Sequence, residues 1–305
     1  MSSVKYDDDK LAAYHTAYFN SGAVLYIPDN VEIKEPIEGI FYQDSDSDVP
    51  FNKHILIIAG KNSKISYLER LESRGGGSAK ATANITVEVI ARSGAQVKFA
   101  AIDRLGENVT AYISRRGKLG NDASIDWAIG VMNEGNVVAD FDSDLIGNGS
   151  HADLKAVALS SGRQVQGIDT RVTNYGCNSI GNILQHGVIL EKATLTFNGI
   201  GHIIKGAKGA DAQQESRVLM LSDQARSDAN PILLIDENDV TAGHAASIGQ
   251  VDPEDMYYLM SRGLDKATAE RLVVRGFLGS VIVEIPVKEV RDEMIATIEE
   301  KLSKR

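Results

Sequence analysis

The chain is short of several things, and each shortage closes off a class of protein. It holds one cysteine, Cys177, among 305 residues. That excludes an intrachain disulfide framework and a multi-thiolate metal site supplied by this chain alone, and it fits a reducing, cytoplasmic setting. No apolar run approaches the roughly 18 residues of a membrane span, and the opening Met1-Ser-Ser-Val-Lys-Tyr-Asp-Asp-Asp-Lys10 is too acidic for a secretion signal. Neither membrane insertion nor secretion is supported. Basic residues are outnumbered, 32 Lys+Arg against 42 Asp+Glu, and no basic stripe offsets the deficit. The phosphate-neutralising surface on which nucleic-acid binding relies is missing, so nucleic acid is not an expected partner. The excess of acid is lopsided: residues 1–50 carry 3 Lys and 10 Asp/Glu, so the remaining body is nearly neutral.

Signals of catalysis are equally scarce. No G-x-x-x-x-G-K-[ST] occurs, and Gly75-Gly-Gly77 precedes no helix start, so it reads as a flexible turn. Gly147-Asn-Gly149-Ser-His-Ala152 matches a dinucleotide fingerprint in form, yet it sits in strand texture with no following helix. Asp44-Ser-Asp46-Ser-Asp48 imitates a calcium loop but runs on to Val49-Pro50 where glycine is needed, and reads as a solvated acidic loop. Cys177 with His186 could be drawn as thiol and base. Nothing nearby lowers the thiol pKa, so a small buried apolar residue is the better reading.

What the chain does have is strand. From about Gly22 to Val251, short alternating or unbroken apolar runs such as Ala23–Ile27, His54–Ile58, Asn84–Ile90, Gln96–Ile102, Val188–Leu190, Ala193–Phe197 and Pro231–Ile235 are separated by Gly, Asn, Asp and Ser. No helical crossover separates them. Asn-Gly occurs only twice, as Asn148-Gly149 and Asn198-Gly199, so tight hairpins are not the main connection. The pattern predicts a mainly β fold, a β-solenoid with imperfect repeats. The glycines between Gly117 and Gly201 are expected where each coil turns through positive φ.

After Val251 the texture becomes helical. Asp252-Pro-Glu-Asp255 is a helix-start signal, Met256, Leu259 and Met260 mark an apolar face, and Gly263 is a stop. Asp265 can cap a second helix carrying Ala269, Leu272 and Val273. A third begins near Pro286, with Val290, Met294, Ile298 and Leu302 recurring every four residues. The expected organisation is an N-terminal remnant or tag-like segment (1–21), a β-helix (22–251) and a small C-terminal helical domain (252–305).

One histidine stands apart. His244 lies among small residues in Asp239-Val-Thr-Ala-Gly-His244-Ala-Ala-Ser-Ile-Gly249, where the solenoid ends. Small neighbours leave an imidazole open to a metal such as iron, but on these residues alone a structural or capping role is the better reading.

This segment, together with Ser222-Asp-Gln-Ala-Arg-Ser-Asp-Ala-Asn-Pro231, Tyr257-Tyr-Leu-Met-Ser-Arg-Gly263 and Val274-Arg-Gly-Phe277, resembles the signature of the SufB/SufD family, scaffold subunits of the SUF iron–sulfur cluster assembly system. The likeness runs from about Ala12 to the C-terminus and leans to the SufD branch. The resemblance implies a right-handed parallel β-helix and a C-terminal helical domain that docks a SufC-type ATPase. The docking residues it points to are Tyr257, Tyr258, Leu259, Arg262, Gly263, Arg275, Gly276 and Phe277. It also implies pairing with a SufB-type paralogue through the open edge of the β-helix, or a homodimer through that edge for the chain alone. His244 matches the histidine at that interface which helps form the nascent cluster site. The commonest family pattern has a Cys two residues earlier, where this chain has Ala242, so thiolates would come from the partner and no cofactor would be held stably by this chain alone. The implied role is a non-catalytic scaffold, and Cys177 matches no family motif. Members of the family usually carry a helical N-terminal region before the β-helix, so the chain reads as a fragment, a truncated form or a short variant. The rival expectation from another class is a β-helix enzyme acting on polysaccharides through paired carboxylates in a groove.

Overall fold

The computed structural model describes residues 4–77, 79–283 and 288–303. A short helix, α1 (Lys10–Tyr18), is followed by strands β1 (Ser21–Ile27), β2 (Ile37–Asp44), β3 (Phe51–Ala59), β4 (Lys64–Arg74), β5 (Ala81–Ala91), β6 (Gln96–Arg104), β7 (Val109–Leu119) and β8 (Ser124–Val131). Then come β9 (Val137–Leu145), β10 (His151–Ser160), β11 (Val165–Asn174), β12 (Ile180–Ile189), β13 (Thr194–Ile203), β14 (Asp211–Met220), β15 (Arg226–Ile235) and β16 (Thr241–Gln250). Three helices close the chain: α2 (Pro253–Ser261), α3 (Lys266–Ile282) and α4 (Lys288–Ser303). Pro286, near which the third C-terminal helix was expected to begin, lies outside the described residues, as do Met1–Ser3.

Odd-numbered strands form one eight-stranded sheet (sheet A) and even-numbered strands another (sheet B), and all the strand pairs are parallel. Each odd–even pair is one rung of a parallel β-solenoid. Parallel strands place like positions above like, so a column of side chains runs the length of the interior. In sheet B one column reads Tyr67, Phe99, Trp127, Leu154, Ile183, Gln214, His244. Its ring centroids are 5.4 Å apart for Tyr67–Phe99 and 4.8 Å for Phe99–Trp127. Among these side chains lies an ion triad, fully buried: Arg115 on β7 donates to Asp103 (2.6 Å) and Glu69 (2.7 Å). Burial pushes the Glu69 carboxyl up, against the pull of Arg115. Such a group strongly penalises loss of one member, because a lone charge would remain in the core.

The corners between odd and even strands correct one expectation. Of the glycines between Gly117 and Gly201, only Gly149 and Gly162 have positive φ. Along the odd-to-even corner the left-handed residue is Asn30, Asn62, Gly94, Asp122, Gly149, Asn178 and Gly209 in successive rungs. Asn and Asp tolerate this conformation because their short polar side chains bond locally. Each of these residues donates its N–H to a carbonyl of the next rung, as in Asn62 to Ser93 (3.0 Å) and Asp122 to Asn148 (2.9 Å). Gly94, Gly149 and Gly209 each lie against the side-chain oxygen of the Asn or Asp below, where a Cβ would sit 2.3–2.5 Å from it. Several other glycines serve close approach: a Cβ at Gly135 or Gly176 would fall about 2 Å from a neighbouring backbone oxygen.

Helices α2 and α3 begin where their signals stand. Asp252 accepts from Glu254 N–H (2.8 Å) and Asp265 from Thr268 N–H (2.8 Å). Val290, Met294, Ile298 and Leu302 of α4, with Val274, Leu278, Val281 and Ile282 of α3, share one apolar cluster with Leu68, Ile102, Val157, Leu159, Val188 and Leu190 on the outer face of sheet B. Sheet B is thereby covered on both faces, and α3–α4 pack on the solenoid rather than standing off it. No helix of the described residues is long and apolar enough to cross a membrane.

Candidate functional site at the open end of the solenoid

The last rung determines what the site can do. β15 pairs only with β13 and β16 only with β14, so each leaves a row of backbone N–H and C=O groups without a ladder partner. Every residue of β16 is exposed except Gly243, which is half-buried. Ile232, Leu234, Ile235 and Ile248 are exposed on this rung as well. An apolar interior that ends in an open edge is a surface built for continuation by another strand.

His244 sits on this rung, in register over Gln214. The interior beneath changes character on approach to it. Gln185 donates to Thr170 Oγ1 (2.7 Å) and accepts from Ser216 Oγ (2.7 Å), while Gln214 Nε2 donates to the Ile232 carbonyl (3.0 Å). Gly199 makes room for this amide layer, since a Cβ there would lie 2.7 Å from Gln214 Oε1. His244 is exposed, with Ala242 and Ala246 the residues whose side chains share its side of the strand. Among the described residues no three His, Cys, Asp or Glu side chains gather as a metal would require.

The strand that carries His244 ends at Gln250, and α2 starts at Pro253. No residue of α2 is buried. Tyr257 and Tyr258 are exposed, Leu259 is half-buried, and the Arg262 guanidinium lies 5.1 Å over the Tyr258 ring. Gly263, with φ +92°, ends the helix. A groove of about 480 Å³ lies between α2 and the corner after β14, with Met220, Val251, Met256 and Met260 in its wall. On α3, Arg275 and Gly276 are exposed. Phe277 is turned inward: its ring stacks on His186 (centroids 4.9 Å, interplanar 21°), and its carbonyl oxygen is 3.3 Å from His186 Nδ1. Burial holds His186 below the ordinary imidazole value. The anticipated docking residues thus divide into a solvent-facing group on α2 and α3 and one, Phe277, that anchors α3.

The other motifs resolve into local structure. Cys177 is half-exposed in a corner rather than buried in a strand, with Sγ 3.4 Å from the Gly206 carbonyl. His186 is far along β12 and engaged by Phe277 and Glu215, so no thiol–imidazole pair forms. Gly147–Ser150 is a corner leading into β10, and in the Asp44–Asp48 loop Asp44 accepts from Asp46 N–H (3.0 Å). Paired carboxylates do occur, on the outer face of sheet A. Asp140 and Asp142 stand two residues apart on β9, and Arg116, itself bonded to Asp8 (2.9 Å), lies 3.5–3.6 Å from both.

The fold is a parallel β-solenoid whose terminal strand and adjoining helix are exposed. The family described as "SUF system FeS cluster assembly, SufBD core domain" matches residues 41–277. The chain is 46% identical over 300 residues to the "Iron-sulfur cluster assembly protein SufD" of Bacillus subtilis (strain 168), covering 98% of this chain and 68% of that relative. It is 25% identical over 281 residues to an "Iron-sulfur cluster assembly SufBD family protein" of Staphylococcus epidermidis, covering 92% of this chain and 60% of that relative. The chain belongs to the SufBD family, and its likeness within it is to SufD.

Proposed function

We propose that the chain is a non-catalytic scaffold subunit for iron–sulfur cluster assembly in the SUF system. In this reading the terminal rung pairs with the matching rung of a SufB-type paralogue, or with a second copy when the chain is alone, while α2 and the solvent-facing part of α3 dock a SufC-type ATPase. The observation that carries the reading is β16: a strand exposed along its length, unpaired on one edge, and bearing His244. Edge pairing supplies main-chain hydrogen bonds, and the exposed Ile232, Leu234, Ile235 and Ile248 supply apolar area to bury.

His244 is then a ligand or positioning group at a shared site. A neutral imidazole offers one lone pair to iron, and the remaining ligands of a nascent cluster, which is cargo here, come from the paired subunit. The exposed Tyr257, Tyr258 and Arg262 have the composition of an interface centre, and the methionine-lined groove beside them adapts to an incoming side chain.

The test is co-expression with a SufB-type and a SufC-type protein. A stable complex is expected on size exclusion, and His244→Ala should leave the complex assembled while lowering the cluster yield on reconstitution. Unchanged cluster yield would remove His244 from the site, and failure to associate with either protein would overturn the scaffold reading.

A further inference from the structure

Away from the open end, three ionisable side chains form one hydrogen-bonded chain beneath α1. His15 Nδ1 is 3.1 Å from Asn84 Oδ1, His15 Nε2 is 3.0 Å from His54 Nδ1, and His54 Nε2 is 3.0 Å from Glu88 Oε1. His15, Asn84 and Glu88 are buried and His54 is half-buried. The Asn84 amide is oriented, because its Nδ2 donates to the Leu11 carbonyl (3.2 Å) and its Oδ1 must therefore accept from His15 Nδ1–H.

Counting protons along this chain gives a definite answer. A neutral imidazole has one N–H and one lone pair. If His15 gives its single N–H to Asn84 and His54 gives its single N–H to Glu88, two lone pairs face one another at 3.0 Å across the His15–His54 contact. Every arrangement that fills all three contacts needs one proton more than two neutral imidazoles and a carboxylate contain. Glu88 Oε2 also accepts the Val4 N–H (3.2 Å), as a carboxylate does. Burial, and then the charge of His54, hold the His15 imidazole below its ordinary value.

We propose that the His15–His54–Glu88 chain holds one extra proton, and that this proton clasps α1 to the outer face of sheet A, making the helix a cover released as the pH rises. Ala12 and His15 are the buried residues of α1, which Asn84 and Asn52 also hold through the Leu11 and Tyr18 carbonyls (3.2 Å each). The charged and titratable groups around the clasp are Lys5 and Asp7 of the N-terminal segment, Lys53 beside His54, and Tyr112 and Arg116 of β7, the register partners of Asn84 and Glu88. The sign follows from linkage. Above the ordinary imidazole value of about 6.5 the closed form binds a proton that the open form does not, so closure weakens with rising pH, by up to about tenfold per pH unit. Release would enlarge a cavity of about 840 Å³ that His15, Phe19, Val24, His54 and Leu56 line.

The experiment uses the full chain with ¹⁵N-labelled histidine. At pH 7 the imidazole shifts are expected to show one of the two rings cationic and the other neutral, assigned with His15→Phe and His54→Gln. Hydrogen exchange of residues 10–18, corrected for intrinsic rates, should show α1 opening at least about tenfold more at pH 8.5 than at pH 7. In His15→Phe that pH dependence should vanish. Two neutral rings at pH 7, or equal α1 protection at both pH values in the parent chain, would overturn the proposal.

Discussion

At the scale of single residues, the polar groups placed against the grain of the fold are the informative ones. Asp142 projects from the outer face of sheet A, where burial and the neighbouring Asp140 push its carboxyl up to about 7 against the pull of Arg116. The folded chain therefore keeps a proton that an unfolded Asp releases near pH 3.9, and this site's contribution to stability falls as the pH climbs toward 7. Asp142→Asn removes that penalty while keeping the shape. Its Tm should exceed that of the parent chain at pH 8, with the gap closing toward pH 5. A lower Tm at pH 8 would show instead that the ionised contact with Arg116 dominates. None of this is written in the local sequence, where Asp140, Asp142 and Asp144 look like solvated alternation. Their partner Arg116 arrives from the rung below. The same holds for His15, His54 and Glu88, which lie tens of residues apart and meet only through strand register.

At the scale of elements, what could be read depended on whether the cause was local. Caps, periodicity and stops are local, so α2 starts at Asp252 and ends at Gly263, and α3 starts at Asp265, where their signals stand. Helix α1 has no apolar stripe to mark it in the sequence, and its attachment is to Asn84, 69 residues away from His15. The packing of α3–α4 on sheet B did leave a trace, in runs such as Ala156-Val-Ala-Leu159, where alternation gives way to unbroken apolar sequence. That is the mark of a strand covered on both faces. Phe277 is the pin of this packing. Phe277→Ala should cost about 2 kcal/mol, since the ring is only partly buried, and should raise hydrogen exchange in residues 266–282 while strands β7 to β10 stay protected. If α3 exchange does not change, His186 is not what holds the helix in place.

At the scale of the whole molecule, the solenoid is a stack in which each rung is held by its neighbours, so stability should be graded along its axis. Central strands pair on both sides and are buried within, whereas β16 pairs on one side and is exposed. Native-state hydrogen exchange should therefore be slowest around β7 to β10 and faster in the terminal strands β1, β2, β15 and β16, and a bound paralogue should slow the last two by supplying the missing neighbour. Uniform protection along the chain would mean that the stack opens as one unit. The left-handed corner from Asn30 to Gly209 adds a consequence of another kind. Its offset from one rung to the next runs from 27 residues, Asp122 to Gly149, to 32, Asn30 to Asn62. Part of that slack is taken up before the left-handed residue, which from β4 to β14 always stands two positions ahead of the even-numbered strand, as Asn62 before Lys64 and Gly209 before Asp211. This corner is thus a natural splice point: a whole turn could be duplicated or excised between two of its Asn/Gly positions without shifting the phase of any strand beyond it. The length of the scaffold, and with it the distance between its two ends, could in this way change in whole turns.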